Sequence, residues 1–365
     1  DNVQTISVNG AAGNEKFTID TSGGPFVSSA SVDTHFAINL STGTDELALN
    51  GSSGADRFTI GSTGLNLDAD VDADVTPSGV ERFRATTGGA NDYITSSGGS
   101  GTGVGSNKPL FAFGGLGNDT LIGGPGADSL SGEDANDVVR GGNGGDVLSG
   151  GIGVDTLDYT GSPSGVNVNL ATLAVSGGFA TGDSISQFEN VNGSANADTL
   201  TGSTAANVIK GAAGADTLNG GSGADTLSYV GSQSAVTVDL GAGTASGGDA
   251  TGIVGGVSTN DSIAGFENIL GSSFADTLTG SIGVNVIRGG TGVDTIHGSD
   301  NNDKLYGDAS DDHLFGDAGA DYLDGGPNDT SSPGDDCNDA NPPTAPAAFV
   351  NCETIQNTPV ASGAR

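Results

Sequence analysis

An acidic or amide residue returns at every ninth position along three stretches of the chain. In the first stretch these residues are Asp119, Asp128, Asp137, Asp146 and Asp155. In the second they are Asp198, Asn207, Asp216 and Asp225, and in the third Asp276, Asn285, Asp294, Asp303, Asp312 and Asp321. Side-chain oxygens at a fixed period, set among glycines, are the donors that a hard cation such as Ca²⁺ uses, since it takes roughly six to eight oxygens. Each acid closes a six-residue turn, as in GGLGNDTLI from Gly114 and GGTGVDTIH from Gly289. The turn glycines are Gly115, Gly117, Gly124, Gly126, Gly142, Gly144, Gly151, Gly153, Gly214, Gly221, Gly223, Gly290, Gly292 and Gly319. They permit backbone angles that other residues resist, so a tight turn with inward carbonyls is expected. Positions seven to nine then read as a short strand. Position eight is apolar throughout, from Leu121, Leu130 and Val139 to Leu305, Leu314 and Leu323, and supplies one inward side chain per unit.

The unit GGxGxDxUx, with U apolar, resembles the repeat of the RTX (repeats-in-toxin) family, in which nonapeptides bind Ca²⁺ in a parallel β-roll. The resemblance covers residues 114–158, 193–228 and 271–326, and an unbroken nine-residue register over several units makes it specific. It implies an all-β fold, a β-roll or β-solenoid with several calcium ions in its turns. All the position-six acids and amides named above are implied as ligands. It also implies that two nonapeptides make one coil, so that Asp119 lies over Asp137, Asp128 over Asp146, Asp294 over Asp312 and Asp303 over Asp321. Stacked strands are about 4.8 Å apart, and two carboxylates at that spacing repel by roughly 3–4 kcal/mol at an effective dielectric of about 20. A calcium ion between them reverses the sign, so the roll is expected to order with calcium and to fold poorly without it. Asn207 and Asn285 offer only a neutral oxygen, and Ala135 stands where the pattern wants glycine. Sites at these positions are expected to be weaker or empty.

Seven segments follow from this register: a divergent β-rich region (1–112), roll blocks at 113–158, 193–228 and 271–326, insertions at 159–192 and 229–270, and a C-terminal cap at 327–365. Both insertions hold an alternating strand (Val166, Val168, Leu170; Val236, Val238, Leu240) and end on Phe-Glu-Asn, and each reads as a hairpin or an enlarged coil beside the roll. Glu15, Asp45, Asp56 and Asp92 carry the turn–acid–strand rhythm into the N-terminal region at irregular spacing. There, Asp68, Asp70, Asp72 and Asp74 alternate with apolar residues and read as the acidic face of a strand, either a solvated edge or a metal site. The Gly/Ser-rich run 96–106 reads as a flexible link. Cys337 and Cys352 are the only cysteines, and their closeness suggests a disulfide capping the roll and an oxidising compartment.

Composition narrows the function classes. Forty-five acids against ten bases give a formal net charge of −35 over 365 residues, a field that repels nucleic acid and anionic membranes. No apolar run is long enough to cross a membrane. The chain starts at Asp1 and lacks methionine, which reads as a processed protein or a fragment. The sequence holds no HExxH, no GxSxG and no phosphate loop. His35, His297 and His313 are the only histidines, the last two at outward positions. No enzymatic role is expected. The expectation is a secreted, extracellular or cell-surface bacterial protein with a structural role, as a surface-layer, matrix, filament or adhesin subunit, whose partners are calcium ions and further copies of itself in a filament or surface array. One alternative is a calcium-dependent secretion and folding module of a larger enzyme or toxin. A second is a β-solenoid that binds polysaccharide or ice through outward threonines such as Thr120, Thr156, Thr217 and Thr277.

Overall fold

The computed structural model describes residues 4–22, 34–67, 73–248, 251–254, 257–327, 334–338, 348–352 and 354–356. Among them the secondary structure is almost entirely β, with one 3₁₀ turn at Gly178–Ala180. Among the described residues no helix is long and apolar enough to cross a membrane. The chain forms two compact units, Asp1–Ser162 with Leu173–Asn190, and Pro163–Thr172 with Val191–Arg365.

In the first unit, a seven-stranded parallel sheet runs through Lys16–Asp20, Glu46–Asn50, Arg82–Thr86, Leu110–Leu116, Ser129–Asp134, Val147–Ile152 and Ser184–Ser186. A second parallel ladder joins Arg57–Ile60, Tyr93–Thr95, Thr120–Gly124, Val138–Gly142 and Thr156–Asp158. Within the repeats the register offset is one full coil: Leu121 pairs with Val139 and Leu130 with Leu148. Successive nonapeptides therefore alternate between the two sheets of a parallel β-roll. Leu121, Leu130, Val139, Leu148 and Leu157 are buried between the sheets. A residue that sends one side chain in every nine inward can bury little else, so this leucine file is the core.

The N-terminal region continues the same coils. Leu47, Phe58, Phe83 and Ile94 occupy the inward position on the same two sheets and are fully or nearly fully buried. The Gly/Ser-rich run 96–106 is a packed loop and not the flexible link expected. Ser96, Thr102 and Ser106 are buried, Ser106 N–H donates to Ser96 O at 2.9 Å, and Thr102 Oγ1 donates to Gly99 O at 2.6 Å. Its small residues let the loop satisfy its backbone internally. Asp68, Asp70 and Asp72 lie outside the described residues; Asp74 is buried and accepts the Leu67 N–H at 2.7 Å.

In the second unit, one sheet joins Val208–Lys210, Thr226–Ser228, Asn268–Leu270, Val286–Thr291, Lys304–Ala309, Tyr322–Asp324 and Ala348–Val350, all parallel. The other carries Asn167–Asn169, Thr199–Thr201 and Thr217–Asn219, then Val236–Asp239, Thr277–Thr279, Thr295–His297, His313–Phe315, Asp336–Asn338 and Thr354–Gln356.

The insertions are built into these sheets. Asn167–Asn169 founds a ladder of the second unit, whereas Ser184–Ser186 closes one in the first. In the later insertion, Val236–Asp239 and Thr244–Gly247 form an antiparallel hairpin, and Ser262 to Ala264 pair in parallel with Thr217–Asn219. Cys337 takes the inward place beside Leu314, fully buried, and bonds to Cys352.

Truncating one rung of the core tests this packing. Leu148→Ala is expected to cost about 2–5 kcal/mol in calcium-containing buffer, read from urea unfolding. Val147→Ala, at an exposed outward position of the same strand, is expected to change the midpoint little.

Candidate metal centre

The position-six acids stack as one hydrogen-bonded file on each side of the roll. Asp119 N–H donates to Asp137 Oδ1 at 2.7 Å, and Asp137 N–H to Asp155 Oδ1 at 2.8 Å. On the other side Asp128 N–H donates to Asp146 Oδ1 at 2.8 Å. In the second unit, Asp276 donates to Asp294, Asp294 to Asp312, and Asp303 to Asp321, at 2.7–2.8 Å. The four stacked pairs expected from the repeat are all present in this arrangement. The strand that follows each acid is locked to the next coil by its own ladder, so the backbone fixes where each carboxylate sits.

This linkage uses one carboxylate oxygen. The other, Oδ2, has no hydrogen-bond partner and is buried in Asp119, Asp128, Asp137, Asp146 and Asp155 of the first unit and in Asp225, Asp294, Asp303 and Asp312 of the second. All nine residues are at most 2% exposed. Each such Oδ2 folds over the glycine that opens its turn. A Cβ added to Gly114 would meet both Asp119 Oδ2 and Gly132 O of the next coil; at Gly307 it would meet Asp312 Oδ2 and Gly325 O. Buried carboxylate oxygens that lack a donor thus converge with carbonyl oxygens of the next coil, a donor set suited to a hard cation. No group of three or more His, Cys, Asp or Glu side chains converges among the described residues, so the donor set draws on backbone carbonyls together with the carboxylates.

Position two of these turns is left-handed. Gly115, Gly124, Gly142 and Gly290 have φ of 97–110°, and Glu133, Ser299 and Asp308 adopt φ of 70–80° without being glycine. Ala135, the departure noted in the sequence, is accommodated at φ 85°, and Asp137 keeps the same placement as its neighbours. Asp198, Asn207, Asp276 and Asn285 stand in the files too, but serines in their own turns donate to their side-chain oxygens.

Several members of the files do not follow the nine-residue register. Asp146 N–H donates to Asp183 Oδ1 and Asp216 N–H to Asp261 Oδ1, both at 2.9 Å. Asp155 and Asp225 donate to Glu189 and Glu267, the acids of the two Phe-Glu-Asn ends, at 2.9 and 2.8 Å. These acids occupy the next rung although they lie 34 to 45 residues onward. The signal was present in the sequence: Asp183-Ser184-Ile185, Asp261-Ser262-Ile263 and Glu189-Asn190-Val191 each repeat acid, polar, inward apolar. In Asp183 and Asp261 the second oxygen accepts a buried tyrosine hydroxyl, from Tyr159 at 2.8 Å and Tyr229 at 2.9 Å. Burial first, and then Asp183, push the Tyr159 phenol upward, so it stays protonated and donates. At the N-terminal end, Glu15, Asp45 and Glu81 form one file and Asp56, Asp92 and Asp119 another.

Burial dominates the electrostatics of the files. Desolvation, followed by neighbouring carboxylates, raises Asp119 and Asp303 to about 7 and Asp294 to about 8, from an ordinary 3.8. Asp128 and Asp312 rise to about 7, Asp137 and Asp146 to about 6, from the same principal cause. The histidines stand apart from the files. His297 Nδ1 lies 3.0 Å from Asp317 Oδ2 and its ring stacks on Phe315, while His313 is exposed. The side chain of His35 lies outside the described residues.

The model of the RTX calcium-binding nonapeptide repeat (4 copies) matches residues 113–148, 131–160, 192–227, 261–296, 270–305 and 297–329. No curated protein matches the chain.

The raised carboxyls set a pH dependence for the metal-free chain. Their folded values lie above the unfolded one, so the stability gained by protonation is complete below about pH 4 and is lost as pH rises through 6 to 8. In chelator, the far-UV β signal is therefore expected to fall steadily from pH 5 to pH 8. A strong β signal that is flat across this range would show that the buried carboxylates carry no such penalty.

Proposed function

Because segments across residues 113–329 match the RTX calcium-binding nonapeptide repeat, we propose that this chain is a secreted, extracellular structural protein whose β-roll is ordered by Ca²⁺ and which performs no catalysis. The observation that carries this reading is the file of buried carboxylates, each with one oxygen tied to the coil before it and one without a donor. Asp119, Asp128, Asp137, Asp146 and Asp155, with Asp225, Asp294, Asp303 and Asp312, would hold the ions together with turn carbonyls such as Gly132 O and Gly325 O. Bound Ca²⁺ supplies positive charge where stacked carboxylates otherwise repel by a few kcal/mol per pair. The residues of the chain do the rest. The left-handed second position opens the turn, the glycine at position one makes room for Oδ2, and the leucine file holds consecutive coils in register.

Three features support a structural role. Parallel coils make up most of the described strands of each unit, which suits a chain whose own surface is its functional part. The net charge of −35 is of the kind that neutralisation by many cations would allow to compact. Apolar side chains stand on turn edges, with Leu116, Ile152 and Val154 exposed in the first unit and Ile282, Val284 and Val293 in the second; these edges suit self-association into a filament or array. The Cys337–Cys352 disulfide fits an oxidising, extracellular location.

A calcium titration followed by far-UV circular dichroism and negative-stain imaging tests the reading. The expected outcome is a coil-to-β transition with Ca²⁺ but not Mg²⁺ at pH 7.5, and assemblies in the calcium-loaded samples. A β signal unchanged by strong chelation would refute the calcium-ordered roll. A calcium-driven transition that leaves only monomers would keep the roll and remove the assembly.

A further inference from the structure

The nonapeptide turns are of two kinds, and the difference lies at their second residue. In the open turns, such as those ending at Asp128 and Asp303, residue two is left-handed and Oδ2 has no donor. In the second unit, the turns that open at Gly193, Gly202, Gly271 and Gly280 carry Ser194, Ser203, Ser272 and Ser281 there. None of these serines has a positive φ. With the backbone turned the other way, the serine N–H faces its own position-six side chain. Ser272 N–H donates to Asp276 Oδ2 at 2.6 Å, its hydroxyl donates to Asp276 Oδ1 at 2.8 Å, and the Phe274 N–H donates to the serine oxygen at 3.1 Å. Val236 N–H also donates to Asp276 Oδ1, at 2.8 Å. Ser194 and Asp198 repeat this arrangement at 2.6 and 2.9 Å, with Val166 N–H at 2.6 Å.

The amide turns are closed more completely. Asn285 Oδ1 accepts the Ser281 N–H at 2.7 Å, while Nδ2 donates to Glu267 O at 2.7 Å. Asn207 Oδ1 accepts the Ser203 N–H at 2.5 Å. An amide with its donor end turned toward the preceding coil presents a positive edge to any cation. An ion entering a closed turn would have to displace two or three donors from an oxygen pair that is already satisfied, whereas an open turn offers an oxygen with nothing to lose. The backbone conformation decides, not the serine hydroxyl alone: Ser299 is left-handed at φ 80°, and Asp303 Oδ2 in its turn has no donor.

We propose that the serine-closed turns bind no calcium, so that the conformation of residue two in each nonapeptide sets which turns of the roll depend on the ion. The inference rests on the calcium reading above and assigns the ions within it. Closed turns come in consecutive pairs at the head of the second and third blocks, Gly193 with Gly202 and Gly271 with Gly280. Two consecutive nonapeptides make one coil, so each of these blocks opens with a coil closed by protein donors alone, upon which the ion-dependent coils follow.

Equilibrium dialysis of the full chain against Ca²⁺, with circular dichroism confirming the fold at saturation, reads the number of bound ions. Asp128→Asn and Asp303→Asn are expected to lose at least one ion each. Asp198→Asn and Asp276→Asn are expected to keep the parent number, and Ser272→Gly with Asp276 retained is expected to add one. Loss of ions in Asp198→Asn or Asp276→Asn equal to that in Asp128→Asn overturns the inference and leaves the calcium reading intact. A parent chain that binds no calcium overturns both. Should a variant fail to fold, anomalous scattering from calcium in crystals of the parent chain decides. Ions beside Asp294 and Asp303 with none coordinated by Asp276 or Asn285 support the assignment, and an ion on Asp276 or Asp198 refutes it.

Discussion

The bond from each position-six N–H to the carboxylate one coil onward is the constraint on which the rest of this structure depends. It ties coil to coil at the turn, where the strand ladders have already ended. It also fixes the carboxylate so that its first oxygen is used and its second points into the turn over the opening glycine. A carboxylate held this way cannot rotate out to water. The same bond that organises the stack thereby buries an unbalanced oxygen at each open rung, and burial raises these carboxyls well above their ordinary range. Without added charge the stack is an electrostatic liability; with a divalent cation the liability becomes the glue.

The protein manages the ends of these files with its own donors. Where an insertion interrupts the repeats, Asp183 and Asp261 enter the next rung and a buried tyrosine supplies the donor that the open turns lack. At the heads of the second and third blocks, serines do the same. Both devices place a proton where the open turn leaves a bare oxygen. The insertions are therefore working parts of the files: each brings an acid to the correct height after a detour of several tens of residues, at a closure entropy that grows only slowly with length. The leucine core is too thin to set that height alone, since each nonapeptide sends a single side chain inward.

Much was legible in the sequence. The period of nine, the acid at position six and the apolar residue at position eight are spelled out locally, and a strict period leaves few ways to stack. From these the buried apolar file could be read, while the parallel roll and the pairing of Asp119 with Asp137 or Asp303 with Asp321 came from the resemblance to the RTX repeat, in which two nonapeptides make one coil. The 96–106 loop was misread, because glycine and serine content speaks of local freedom and not of whether a loop can satisfy its backbone against itself. The rungs at Asp183, Glu189, Asp261 and Glu267 are hidden in the sequence because each detour erases the nine-residue spacing while keeping the acid–polar–apolar triplet.

The sequence by itself determined the kind of fold and the kind of chemistry, because both follow from a local unit repeated until only one stacking satisfies it. It could not determine which carboxylates retain a bare oxygen. That depends on whether residue two of the turn aims its N–H at the side chain four residues on or away from it, as Ser272 and Ser299 show with one residue type in two conformations. Residue type at that position does not settle it, since serine takes both conformations, and so the difference is visible only in the path of the folded turn.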